Sequence, residues 1–337
     1  KEIGQCVWLD NLSRDLLISG KLKQMIDEDS VVGVTSNPTI FQKAISGSAL
    51  YDDSLKGMLK KGLTAPRELF LGLEIENIRN AADLLHEVYG SSRCLSGYVS
   101  IEVSPDLAYD TEKTLQEART LFSAVGRKNV FVKVPATKEG LPAIERLTSE
   151  GINVNITLLF SVERSKEVAE AYLRGLEHRA ERGEPLNEIV SVSSFFVSRV
   201  DTLADKLLTK RLEAASSPEE RERIEGLFGR AAVANSKIAY REYDKIFSSP
   251  RFRALGEKGA NVQRLLWAST STTNPKYRDV KYVEELIAPD TINTMPEATL
   301  RAFRDHGTVR VTIEEGLGEI ETFFRELKSA GVDMDEV

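Results

Sequence analysis

Eight short apolar segments recur along the chain at residues 7–10, 31–36, 97–103, 130–135, 153–158, 189–194, 265–269 and 291–293, and helical patterns lie between most of them. That alternation restricts the fold more than any single motif does. The segment 97–103 places Val99, Ile101 and Val103 on one side and Ser100 and Glu102 on the other, the period of a strand with one polar face. Segment 153–158 repeats the pattern, with Asn155 and Thr157 sharing one face and Val154, Ile156 and Leu158 the other.

The intervening stretches carry helix signals. Thr64-Ala65-Pro66 opens an amphipathic run that closes at Gly90, fitting a capped start with an early proline and a C-terminal glycine. Residues 106–125 are periodic in Leu107, Leu115, Ala118 and Leu121 and stop at Gly126. Ser161 and Ser217 are N-caps for two more helices. Strands separated by such helices pair in parallel through right-handed crossovers, and eight units close into a (β/α)8 TIM barrel. A single domain over 1–337 is expected, with an inserted helical stretch at 203–259 and a terminal helix at 311–330 that buries Leu317, Ile320, Phe323, Phe324 and Leu327. An open doubly wound sheet fits less well, because its strands read as continuous apolar runs and neither G-x-G-x-x-G nor G-x-x-x-x-G-K-[ST] occurs.

Composition excludes several classes of function. With 45 basic against 52 acidic residues the formal charge is −7, and no basic patch offsets it, which argues against nucleic-acid binding. No apolar stretch approaches a membrane span and no secretory signal opens the sequence. Cys6 and Cys94 are too few for a disulfide framework, and His86, His178 and His306 lack ligand spacing, so neither a metal nor another cofactor is expected. The sequons at 11–13 and 155–157 are read as accidental.

Lys133 stands out inside Val130-Phe131-Val132-Lys133-Val134-Pro135, an otherwise apolar strand. Loss of hydration there favours the neutral amine and lowers the pKa, which suits attack on a carbonyl. A rim lysine with a buried stem explains the same residue equally well. In a TIM barrel, however, catalytic groups gather at the C-terminal strand ends, and the polar residues Asp10, Asn37, Glu102, Asn155, Thr157, Ser194 and Ser269 fall at or near those ends.

These blocks resemble the transaldolase family. The likeness runs in order from Trp8-Leu9-Asp10-Asn11-Leu12-Ser13-Arg14 and Thr35-Ser36-Asn37-Pro38-Thr39 through Val132-Lys133-Val134-Pro135-Ala136-Thr137 to the stretch Gly151–Ser161. Trp267-Ala268-Ser269-Thr270 and Asn293-Thr294-Met295-Pro296 are similar to the longer bacterial and plant-type branch. The resemblance implies a metal-free Schiff-base enzyme that moves a dihydroxyacetone unit between sugar phosphates, converting sedoheptulose 7-phosphate and glyceraldehyde 3-phosphate to erythrose 4-phosphate and fructose 6-phosphate. Lys133 is then the nucleophile, Glu102 and Thr157 relay protons through a water, and Asp10 is the base of carbon–carbon cleavage. Asn37, Asn155 and Ser194 would hold the three-carbon fragment, although Asn37 before Pro38 also suits a turn and Asn155 suits backbone satisfaction.

Further expectations come from the same resemblance. Arg199 and Ser269 would bind phosphate, while Ser271 stands where the better-known branch has a second arginine, leaving Lys276 or Arg264 as substitutes. A fructose 6-phosphate aldolase shares the lysine and fold but has a tyrosine at the position of Phe196, which favours transfer here; a catalytically silent sugar-phosphate-binding barrel is the rival from another class. A monomer or homodimer is expected, in the cytoplasm or, since the sequence starts at Lys1 and has plant-type features, in a chloroplast stroma after removal of a transit peptide.

Overall fold

The computed structural model describes residues 3–93 and 95–337, so Cys94 lies outside the described residues. Eight parallel strands form one closed barrel in chain order: β1 Cys6–Asp10, β2 Val31–Thr35, β3 Tyr98–Glu102, β4 Val130–Pro135, β5 Val154–Leu159, β6 Ser191–Phe196, β7 Gln263–Ala268 and β8 Ile292–Met295. Alternation sorts their side chains. Leu9, Val34, Val99, Ile101, Val132, Val134 and Ile156 face outward into the main core with the surrounding helices.

The inward residues make a floor in the lower barrel. Trp8 on β1 and Phe131 on β4 have ring centroids 6.0 Å apart, although their strands are not neighbours, so they meet across the interior. Tyr98 stacks on Phe131 at 4.3 Å. Val192, Leu266 and Ile292 complete this buried cluster. Gly33 permits it, because a Cβ there would lie 2.3 Å from Cε2 of Trp8.

Several local signals act as the sequence suggests. Gly126 ends the helix Thr111–Val125 at φ 61°, and the Ser161 and Ser217 hydroxyls each accept a cap bond of 3.1 Å, from Arg164 N and Glu220 N. The 203–259 stretch is helical, in the helices Ser198–Ala214, Pro218–Glu225, Ala231–Phe247 and Pro250–Gly256.

Four expectations change. The run from Thr64 is two helices, Pro66–Leu84 and His86–Ser91; Ala65 is the N-cap and Gly90 lies within the second helix, with the left-handed turn falling instead on Arg93. The last helix is only Ile320–Ser329, because Thr312 and Ile313 give their backbone N–H groups to Ile287 O and hold 311–316 out of helix. Strand β6 is displaced toward Phe196 relative to 189–194. Finally, β5 carries an extra residue between Ile156 and Leu159, and Leu158 takes φ 63°.

Candidate active site

Parallel pairing puts the strand C-termini at one end, and there a cavity of about 500 Å³ opens. Register fixes its charged centre. Glu102 on β3 pairs with Lys133 on β4, which pairs with Asn155 on β5. Lys133 is 8% exposed, and its Nζ donates to Glu102 Oε2 at 3.0 Å and to the backbone oxygen of Ser36 at 3.2 Å. It is therefore an ion-paired amine with its tip at the cavity wall, not the unpartnered desolvated lysine that the strand pattern alone suggests.

Asp10 stands at the end of β1, in register with Thr35 on β2. The Thr35 hydroxyl lies 2.9 Å from Asp10 Oδ1, donating to it, and 2.6 Å from the Thr294 hydroxyl. Burial pushes the Asp10 carboxyl above the ordinary carboxylate range, with the Lys133 ammonium pulling against it. A raised carboxyl is a stronger base once ionised. Just outside the barrel wall, Glu74 on the helix Pro66–Leu84 is 4% exposed, and burial with the repulsion of Glu102 pushes it up to about 7.

Thr157, Ser194, Phe196, Arg199, Ser269 and Asn37 all line the same cavity. Asn37 also fulfils its turn reading, since its Oδ1 accepts the Ile40 N–H at 2.9 Å and caps the helix Pro38–Ser46. Asn155 differs. It is fully buried below the cavity, donating to Ser100 Oγ at 3.0 Å and accepting from Ser194 Oγ at 2.7 Å. It thereby bonds Ser194, which lines the cavity, and keeps a second N–H and a second carbonyl lone pair beyond these two bonds.

The phosphate end is built by β6 and β7. Ser269 takes φ 57°, which lets its hydroxyl meet Ser198 Oγ at 2.9 Å while its carbonyl accepts Ser198 N at 3.0 Å. That joint fixes the start of the helix Ser198–Ala214, where Arg199 places its guanidinium carbon 4.7 Å from the Phe196 ring centre. Ser271 lines the cavity, but neither proposed substitute does. Arg264 is the second residue of β7, at the opposite barrel end, donating to the carbonyls of Leu95, Asp290 and Thr291; Lys276 is exposed on the loop beyond Ser271.

Four further participants are Thr35, Thr294, the Ser36 carbonyl and Leu158. Thr35 ends β2 and Thr294 is the penultimate residue of β8, so both carried a legible signal. A backbone oxygen and a bulge carry none.

The sequence matches known proteins. The sequence profile of the family described as Transaldolase/Fructose-6-phosphate aldolase matches residues 7–337. A transaldolase of Trichodesmium erythraeum is 46% identical over 335 residues, 99% of this chain and 88% of that protein. One from Saccharopolyspora erythraea is 48% identical over 340 residues, covering 100% and 88%, and one from Mycobacterium ulcerans is 47% identical over 335 residues, covering 99% and 87%. These relatives are bacterial and lend the chloroplast alternative no support. Sharing nearly half its residues with them from end to end, and the family pattern over almost all its length, the chain belongs to the transaldolase family and is a Schiff-base-forming enzyme.

Proposed function

We propose that the chain is a transaldolase in which Lys133 carries a dihydroxyacetone unit between sugar phosphates. The observation that carries this assignment of roles is the Lys133–Glu102 pair opening into a cavity that also holds Asp10 and Arg199. Lys133 gives a proton to Glu102, and its free amine adds to the ketose C2 carbonyl. Glu102, with Thr157 and a water, then returns the proton to the departing hydroxyl, water leaves and the imine forms.

Asp10 next takes the proton of the C4 hydroxyl. The C3–C4 bond breaks, its electrons pass into the imine to give an enamine, and the aldehyde departs. An acceptor aldehyde reverses these steps. Ser194 and Asn37 hold the fragment, Asn155 holds Ser194, and Arg199 with Ser269 and Ser271 receives the phosphate. The natural exchange is between sedoheptulose 7-phosphate with glyceraldehyde 3-phosphate and erythrose 4-phosphate with fructose 6-phosphate, in the non-oxidative pentose phosphate pathway of the cytoplasm.

Phe196 separates transfer from simple cleavage. Its ring faces the cavity with Phe160 5.3 Å away, and it offers no hydroxyl to a water. The test supplies fructose 6-phosphate with and without erythrose 4-phosphate and follows glyceraldehyde 3-phosphate and free dihydroxyacetone together. Glyceraldehyde 3-phosphate should depend on the acceptor, with little dihydroxyacetone released; release that outruns transfer would assign an aldolase instead.

A further inference from the structure

Among the described residues, five non-glycine positions have left-handed backbone: Ser30, Arg93, Leu158, Ser269 and Asp290. Only Leu158 and Ser269 line the cavity. Ser269 makes two hydrogen bonds to Ser198 in this conformation, whereas leucine is a bulky side chain among those least suited to that region. It is also 44% exposed, so one position combines strained backbone with an apolar side chain facing solvent.

The cause is the bulge in β5. Ile156 pairs with Ser193 and Leu159 with Phe195, so three steps on β5 match two on β6. Without the extra residue, strict alternation would send residue 158 outward behind Thr157. With it, Thr157 and Leu158 both face the cavity. Lys133 pairs with Asn155 and Pro135 with Thr157, so Leu158 stands on the mouth side of the reacting amine. Ile40, Pro105, Phe196 and Pro296 add apolar surface around the same opening.

We propose that Leu158 is a specificity-determining residue that covers the imine on Lys133 against water, holding the three-carbon fragment for an aldehyde. This rests on the transaldolase reading above. The competing step is hydrolysis. The enamine takes a proton on carbon to become the iminium, water adds to its C2 and loses a proton, and the C–N bond breaks with its electron pair going to nitrogen. Protonation of that nitrogen and loss of the C2 hydroxyl proton, as C2–O becomes a carbonyl, accompany the cleavage and free the Lys133 amine and dihydroxyacetone. A side chain that excludes water from C2 slows this step and leaves aldehyde addition open.

The test compares wild type with Leu158→Gly, which accepts the left-handed backbone, and with Leu158→Ala, which keeps a Cβ. Fructose 6-phosphate is the donor and erythrose 4-phosphate the acceptor; dihydroxyacetone released per fragment transferred is measured beside the single-turnover rate of imine formation. Both variants should raise the release-to-transfer ratio by about tenfold, as loss of apolar contact does in a discriminating pocket, with imine formation little changed. An unchanged ratio, or an equal fall in imine formation, transfer and release, would overturn the role of Leu158 while a transferring wild type upholds the reading beneath it. A wild type that releases the fragment but never transfers it would overturn both.

Discussion

The floor of the barrel and the mouth above it are built from the same strands, two residues apart. On β1 the inward step runs from Trp8 to Asp10, on β4 from Phe131 to Lys133, and on β8 from Ile292 to Thr294. At roughly 3.3 Å per residue a shift of some 7 Å replaces apolar side chains with polar ones, and on β1 and β4 aromatic rings with a carboxyl and an amine. The floor tolerates an imperfection for the sake of packing, since Trp8 Nε1 has no hydrogen-bond partner among the described residues. The mouth does the opposite: Lys133 is bonded to Glu102 and Ser36, and Asp10 to Thr35. Rigid packing below and directed polar bonds above divide stability from chemistry along a single strand.

The sharpest way to break that division is a pair of substitutions on β4. Lys133→Met should reduce turnover by at least about 10⁴-fold, as loss of a nucleophile does elsewhere. Phe131→Ala, two residues below, should cost about 3–5 kcal/mol of folding stability. Denaturant unfolding beside single-turnover kinetics reads both. If Lys133→Met is as unstable as Phe131→Ala, the two layers are not separate.

The two acids of the mouth should also part company. Asp10→Asn should block carbon–carbon cleavage by about 10²–10⁴-fold while imine formation continues, whereas Glu102→Gln should slow imine formation and release. Identical losses in both phases would contradict the division of steps. Because burial raises the Asp10 carboxyl, the acid limb of kcat/KM should lie above the ordinary value of 3.8 and disappear from the residual activity of Asp10→Asn.

Arg199→Ala should raise KM for phosphorylated sugars by roughly 10- to 100-fold, corresponding to about 1.5–3 kcal/mol, and leave unphosphorylated fructose nearly unaffected. Equal losses on both substrates would make Arg199 a support of the barrel wall. The smallest effect concerns Glu74. Its carboxyl is raised from 4.5 to about 7, so the folded protein holds that proton more tightly than the unfolded chain does. Stability should fall as pH rises through this window, with the full cost above it. Glu74→Gln should therefore stabilise the protein by about 1–3 kcal/mol at pH 8 and be near neutral at pH 4; unfolding curves at the two pH values decide.

The floor and the mouth were unequally legible in the sequence. Strand position and inward facing follow from period-two alternation, so Asp10, Glu102, Lys133 and Thr157 could be placed together from residue types alone. Backbone events could not be read in this way. The bulge that turns Leu158 into the cavity leaves the alternating pattern intact on paper, and the bonds of Thr312 and Ile313 to Ile287 are contacts distant in sequence. Charge type was no guide to position either. Arg264 has the chemistry for phosphate but sits at the other end of β7, and Asn155 faces inward one layer too deep to line the cavity. Sequence period says which face a residue occupies; depth along the barrel depends on register.

The most direct measurement is borohydride reduction in the presence of fructose 6-phosphate, followed by mass mapping of the peptides. If the mouth is a Schiff-base site, a single three-carbon adduct should appear on Lys133, and Lys133→Met should carry none. An adduct on Lys138, or no adduct from an enzyme that turns over, would contradict the assignment of the chemistry to β4.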